Sequence, residues 1–278
     1  MTVIIFLFPG HSSNSARLIL KWAADLSLTN GNNQWGQGMQ KITGGIIPEA
    51  IDRKFYMQHL APYDFIKPLI KGKRVLEIGC GDGYGAAYLA QTADQVIGVD
   101  FGEEVPAAAR LKYPAANLTF EHMDALALGF GDNAFDAVCS FQVIEHIPEE
   151  QLTRYLSEIR RVLKAGGAAY ISTLNLDHAM KSPLTYQKQA AHRKEFRYAE
   201  LSDLLGGVFP GTRMYGLHST LKQLFFHRLK RIGIFNFLPE KINPVKIFYQ
   251  NMTTRDFQIT AGRIRQASDF ICVCFKNA

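Results

Sequence analysis

The chain is poor in cysteine: four in 278 residues (Cys80, Cys139, Cys272 and Cys274), with no C-x-x-C pair. That spacing excludes a disulfide framework or a thiolate zinc cluster as the organising principle. Each cysteine lies in or beside an apolar run that reads as a strand, so buried free thiols in a reducing, cytoplasmic setting are expected. No run approaches the roughly 20 apolar residues of a membrane-spanning helix. Residues 3–8 are apolar, but they are few, lack a basic leader and run into Pro9-Gly10, which argues against a signal peptide. Neither sign of charge dominates. Lys+Arg total 31 against Asp+Glu 25, a surplus that alone says little about nucleic acid or membrane. There is no internal repeat. A hydrophobic content of 47% with 20% charged residues is ordinary for a folded protein, which excludes disorder as the default.

The length accommodates one large α/β domain with additions. Residues 30–38 are polar and rich in Gly and Asn, a loop or linker signal, and Met39 follows at once. Residues 1–38 therefore read as a dispensable extension, and 39–217 as the core domain. From Pro48 the pattern is helical, with apolar Ile51, Phe55, Leu60, Phe65 and Leu69, and Pro62 and Pro68 as expected breaks. Strands and helices then alternate. Strands are predicted at 74–78, 95–99, 117–121, 135–141 and 168–173, with helices at 84–91, 103–113 and 148–163. A helix at 198–205 and strands at 212–217 and 269–275 complete the set. This order predicts a doubly wound, mostly parallel, seven-stranded Rossmann-like sheet with helices on both faces. Residues 218–268 are too long for a hairpin loop and read as a helical insertion before the last core strand, 269–278.

The stretch Val75-Leu-Glu-Ile-Gly-Cys-Gly-Asp-Gly-Tyr-Gly85 runs from a strand through a glycine-rich turn into a helix. Glycines permit positive φ and let a ligand approach main-chain atoms. Open α/β sheets bind ligands at such strand ends, beside the switch in strand order. A bare glycine motif is weak, and Gly81-x-Gly83-x-x-Ala86 even satisfies the dinucleotide variant. Three acids tilt the reading. Glu77 stands in the strand where a dinucleotide site has an apolar residue. Asp100 ends the next strand, where a carboxylate can accept both ribose hydroxyls. Asp124 follows the third strand, placed to accept from an adenine amino group.

On these residues the chain resembles the class I S-adenosylmethionine-dependent methyltransferases, near the small-molecule branch of the ubiquinone and menaquinone methylases. The match comprises Glu-x-Gly-x-Gly-x-Gly at 77–83, Val-Ile-Gly-Val-Asp at 96–100, and Met123-Asp124-Ala125. It continues through 128–138, Val143-Ile-Glu-His-Ile147 and Leu163-Lys-Ala-Gly-Gly167. It covers about 48–205, and 267–275 looks like the family's last strand. The resemblance implies S-adenosylmethionine as cofactor and assigns it residues. Glu77 would orient the methionyl ammonium, while Gly79, Cys80, Gly81 and Gly83 would form the main-chain cradle. Asp100 would hold the ribose, Phe101 would pack near the adenine, and Asp124 with Ala125 would meet its edge. Gln142 would border the methyl position.

Methyl transfer requires alignment of nucleophile, methyl and sulfur, and a base only when the acceptor arrives protonated. Glu145 and His146 are the candidate catalytic residues; His192, Arg193, Tyr56 and His59 are candidates for the acceptor wall. Small-RNA 3′-end 2′-O-methyltransferases carry Glu-x-x-Glu-His at this place and bind a divalent ion with it. Here Gln142 occupies the first position, and an amide is a poorer partner for a hard cation, so no metal is expected. Residues 218–250 hold six Lys/Arg and one acid, with Leu221, Leu224, Phe225, Leu229 and Ile232 at helical spacing. That stripe reads as a helical lid packed on the domain, with peripheral contact to an anionic membrane as the alternative. The expected function is methyl transfer to a small-molecule acceptor: a sugar, a lipid-linked intermediate or another metabolite. RNA methylation and a non-catalytic cofactor-binding role are the alternatives.

Overall fold

A computed structural model describes residues 47–180 and 186–277. The proposed extension at 1–38 lies outside the described residues. The chain opens with α1 (Arg53–Ile66), capped by Asp52, whose carboxylate accepts from the backbone N–H of Lys54 and Phe55. There follow β1 (Arg74–Ile78), α2 (Tyr84–Ala90), β2 (Gln95–Asp100), α3 (Val105–Lys112), β3 (Leu118–His122) and β4 (Phe135–Phe141). Next come α4 (Leu152–Val162), β5 (Leu163–Leu174), the single turn α5 (Leu176–Ala179), α6 (Tyr198–Val208) and β6 (Gly211–Ser219). The last elements are α7 (Leu221–Ile232), α8 (Pro244–Gln250), β7 (Phe257–Thr260) and β8 (Asp269–Phe275).

The sheet order is β3-β2-β1-β4-β5-β8-β6-β7. Strands β1 to β5 pair in parallel, and β8 inserts antiparallel between β5 and β6. The order reverses between β1 and β4, so the carboxyl ends of those two strands open a crevice. The central strands are buried on both faces, as apolar β1 (Arg-Val-Leu-Glu-Ile) requires. One face is packed by Tyr63, Ile66, Leu89 and Phe120, and the other by Tyr155, Ile159, Leu205 and Phe209. Helix α4 shows why its sequence folds so. Leu152, Tyr155, Leu156, Ile159 and Val162 recur at helical spacing and are all buried.

Three expectations are corrected. The sheet has eight strands, not seven, because β7 pairs with β6 as an antiparallel edge hairpin. The insertion is therefore not wholly helical; its end, Phe-Gln-Ile-Thr, is too short for periodicity to reveal. Pro62 does not break α1 but lies inside it. A helix-interior proline costs about 3 kcal/mol, and burial of Met57, Leu60, Tyr63 and Ile66 on the domain offsets that. The apolar stripe of α7 does not pack inward. Of its five members Leu221, Leu224, Phe225 and Ile232 are exposed and Leu229 is half-buried, whereas Gln223 is buried and Phe226 stacks on Phe248 at 4.2 Å. All four cysteines are buried and free, as their strand positions predict.

Candidate active site

The turn after β1 is fastened to β2 by its own backbone. The N–H groups of Gly79 and Cys80 both donate to the carbonyl of Val99, at 2.8 and 3.0 Å. Gly79 has φ 72°, and a Cβ built there would lie 2.5 Å from Val143 Cγ2. Only glycine closes this turn so near the strand. Asp100 is bound from two sides: Gly81 N–H donates to Oδ2 at 2.9 Å and Gly102 N–H to Oδ1 at 3.0 Å. Each carboxylate oxygen keeps a lone pair for a further donor.

Glu77, in β1 two residues before the turn, is 1% exposed and is not itself part of the wall of the adjoining cavity. The Tyr63 hydroxyl donates to its Oε1 at 2.5 Å, while its Oε2 is buried without a partner. Burial pushes its carboxyl up to about 8, although the Tyr63 hydroxyl and the Ala86 backbone N–H pull the other way. A buried acceptor left unpaired is costly unless a ligand meets it, and an ammonium is the matching partner.

A cavity of about 770 Å³ opens beyond this turn. Gly79, Cys80, Gly81 and Asp82 line one side, and Gln142, Glu145, His146 and His192 line the other. Gln142, at the end of β4, takes φ 57°, uncommon for a non-glycine residue. Its side-chain amide donates to Ser172 Oγ at 3.3 Å and weakly toward Asp269 Oδ1 at 3.4 Å. Glu145 is buried; its Oε2 accepts from the Thr173 hydroxyl at 3.0 Å, and burial pushes its carboxyl up to about 8. Its backbone carbonyl accepts from Arg193 and Lys194 N–H, which ties the 189–195 segment over the site.

The two histidines are held alike. His146 Nδ1 lies 3.1 Å from the Ala191 carbonyl, and His192 Nδ1 lies 2.6 Å from Glu195 Oε1. A carbonyl or carboxylate only accepts, so each Nδ1 carries a proton, and in the neutral ring Nε2 is then the nitrogen with the lone pair. Burial, with His146 and Lys188 nearby, pushes His192 down to about 4 and keeps it neutral. Donor atoms of Glu145, His146 and His192 all lie within 4.8 Å of one another.

The remaining predicted residues divide. His59 lines the cavity, its Nδ1 2.9 Å from the Phe55 carbonyl, and burial lowers its pKa. Asp100, Phe101, Asp124 and Ala125 lie outside the cavity walls, along the strand ends beyond the glycine turn. Phe101 is 73% exposed there, and Asp124 Oδ1 accepts from Leu126 N–H at 2.8 Å. Three further residues also lie outside the cavity wall. Gly83 does not line the cavity; a Cβ there would lie 2.9 Å from Ala109 and Phe120, so it lets α3 and β3 approach. Tyr56 packs edge-on against Tyr84, which lines the cavity in its place. Arg193 is exposed outside the walls and contributes its backbone N–H to Glu145.

Sequence reasoning missed Tyr63 and Asp269. Asp269, buried at the start of β8, accepts from Gln58 Nε2 at 2.8 Å and from the Ser268 hydroxyl at 2.7 Å. An aspartate opening an apolar strand was the available signal. Tyr63 gave none, because its partner is fourteen residues away across a turn.

Comparison with known proteins agrees with this geometry. The Methyltransferase domain family model matches residues 76–171. A Mycolicibacterium smegmatis protein named "Probable S-adenosylmethionine-dependent methyltransferase" is 35% identical over 159 residues, 56% of this chain and 59% of that protein. The ubiquinone biosynthesis O-methyltransferase of Roseobacter denitrificans is 37% identical over 107 residues, 38% of this chain and 42% of that one. The chain thus spans little more than half the length of the curated relatives it matches. Among solved structures, an S-adenosylmethionine-dependent methyltransferase from Thermotoga maritima superposes with a TM-score of 0.54 at 18% identity. That match covers 81% of this chain and 94% of the other, a likeness of fold. Residues 76–171 are thus similar to a methyltransferase domain, and curated relatives matched over this part of the chain are named S-adenosylmethionine-dependent methyltransferases. Among the described residues, no helix is long and apolar enough to cross a membrane.

Proposed function

We propose that the protein transfers the methyl group of S-adenosylmethionine to a small-molecule acceptor by in-line displacement. The observation that carries this is a single cavity walled by the glycine turn on one side and by Glu145, His146 and His192 on the other. The residues fit the cofactor. Glu77 Oε2 is a buried acceptor in want of a cation, and Asp100 retains lone pairs for two hydroxyls. The cofactor supplies a methyl group on a sulfonium, already a good leaving group. Glu77 holds the ammonium, Asp100 the ribose, and Gly79, Cys80 and Gly81 the intervening main-chain contacts. Gln142 borders the methyl position and excludes water with Phe141. His146, through its Nε2 lone pair, takes the proton from a hydroxyl acceptor, with His192 and His59 lining the acceptor side.

The cluster of Glu145, His146 and His192 supports a second reading, in which a divalent ion held there polarises the acceptor hydroxyl. Calorimetry with S-adenosylmethionine, S-adenosylhomocysteine and NAD tests the first claim, and acceptor screening with methyl-labelled cofactor tests the second. Binding of NAD with none of the two adenosyl compounds would overturn the proposal. Turnover abolished by EDTA and restored by magnesium or manganese would select the metal-assisted reading.

A further inference from the structure

Twelve large apolar side chains are exposed among the described residues, and eight of them lie between 221 and 247. Along α7, Leu221, Leu224, Phe225 and Ile232 share one face at 100° per residue, with Arg228 among them. Leu221 is 83% and Phe225 58% exposed. The opposite face anchors the helix through buried Gln223 and through Phe226 stacked on Phe248. Gly233 (φ 73°) ends the helix, and the following loop continues the apolar surface with Phe237, 80% exposed. This region is strongly basic. Residues 218–250 hold six Lys/Arg and the single acid Glu240, which pairs with Lys246 at 2.6 Å. Lys222 pairs with Asp256, and Arg228, Lys230, Arg231 and Lys241 form no ion pair among the described residues.

Leu221 and Leu224 also line the cavity that holds Glu145 and His192. The exposed apolar surface is therefore continuous with the mouth of the site. A second copy of the chain would set these cations against their own kind. An anionic lipid surface satisfies both features, since apolar side chains enter the acyl boundary while Lys and Arg meet the headgroups.

We infer that the surface spanning 221–247 docks this protein on an anionic phospholipid bilayer, and that the methyl acceptor is an amphiphile entering the cavity from that layer. The docking stands on the surface alone, whereas the amphiphilic acceptor rests on the methyl-transfer reading. The test is co-sedimentation of the full chain with phosphatidylcholine vesicles and with phosphatidylcholine–phosphatidylglycerol vesicles, alongside calorimetry with S-adenosylmethionine. The full chain should pellet with the anionic vesicles alone, and less so as salt rises. Phe225→Ser with Phe237→Ser, both already in solvent and outside the cavity wall, should weaken vesicle binding by about tenfold or more. Cofactor affinity should not change in that variant. Arg228→Ser with Arg231→Ser should weaken vesicle binding and flatten its salt dependence. A chain that stays in the supernatant with both vesicles, or a Phe225/Phe237 variant that pellets like the wild type, overturns the docking. So does a wild-type dimer that this variant converts to monomer, because the surface would then belong to a second copy. A wild type that binds vesicles but not S-adenosylmethionine removes the acceptor claim and leaves the docking.

Discussion

Replacing Glu77 by Gln removes a buried ionisable carboxyl while keeping its shape. The amide oxygen still accepts from the Tyr63 hydroxyl, so the local bond at 2.5 Å survives. What disappears is the acceptor for an ammonium at Oε2, which has no other partner. A charge-assisted hydrogen bond contributes roughly 1.5–3 kcal/mol, so Glu77→Gln should weaken S-adenosylmethionine by about 10- to 150-fold. The raised pKa adds a second readout. Burial pushes this carboxyl up to about 8 in the free chain, so pairing it with an ammonium at pH 7 should release a proton from most of the molecules. Calorimetry in buffers of different ionisation enthalpy measures that proton directly. The wild type should show a buffer-dependent heat that the variant lacks. Equal affinity in the two proteins, or a wild-type heat that ignores the buffer, would refute the assignment of Glu77 to the ammonium.

Three further outcomes are expected. Asp100→Ala should lower cofactor affinity by about tenfold or more through lost charge-assisted bonds to the ribose; unchanged calorimetry would remove Asp100 from the site. Gly79→Ala forces a left-handed residue against Val143 and should cost roughly 1–3 kcal/mol of stability, read from urea unfolding. The ligand-free chain should lose stability as pH rises. Glu77 and Glu145 both titrate near 8 when folded against 4.5 ordinarily, so the folded state prefers them protonated. The stability they contribute below 4.5 is lost as pH climbs to about 8, while His192, pushed down to about 4, is neutral on both sides above 6.5. Thermal melts should fall across that upper window, and Glu145→Gln should flatten the fall; parallel slopes would contradict a buried, uncompensated Glu145.

Much of the domain was legible because its signals are local. An apolar run ending in Glu-Ile-Gly-Cys-Gly specifies strand, turn and helix together, and strands β1 and β4 fall at 74–78 and 135–141 as read. The edge strand β7 was not legible, since four residues carry no period and their pairing with β6 is set forty residues away. The α7 stripe was legible as amphipathic, but not the direction it faces. That depends on Phe226 finding Phe248 and on Gln223 being the side chain that is buried.

The sequence by itself determined the class of fold, the glycine turn and the acids at the strand ends, because backbone conformation and strand order follow from residue type and spacing. Only the tertiary structure decided which side chains share the cavity. His192 meets His146 across a segment of 45 residues, Asp269 reaches Gln142 from the last strand, and Tyr63 reaches Glu77 from the first helix. Those contacts are long-range consequences of sheet order and burial, and no local pattern in the chain encodes them.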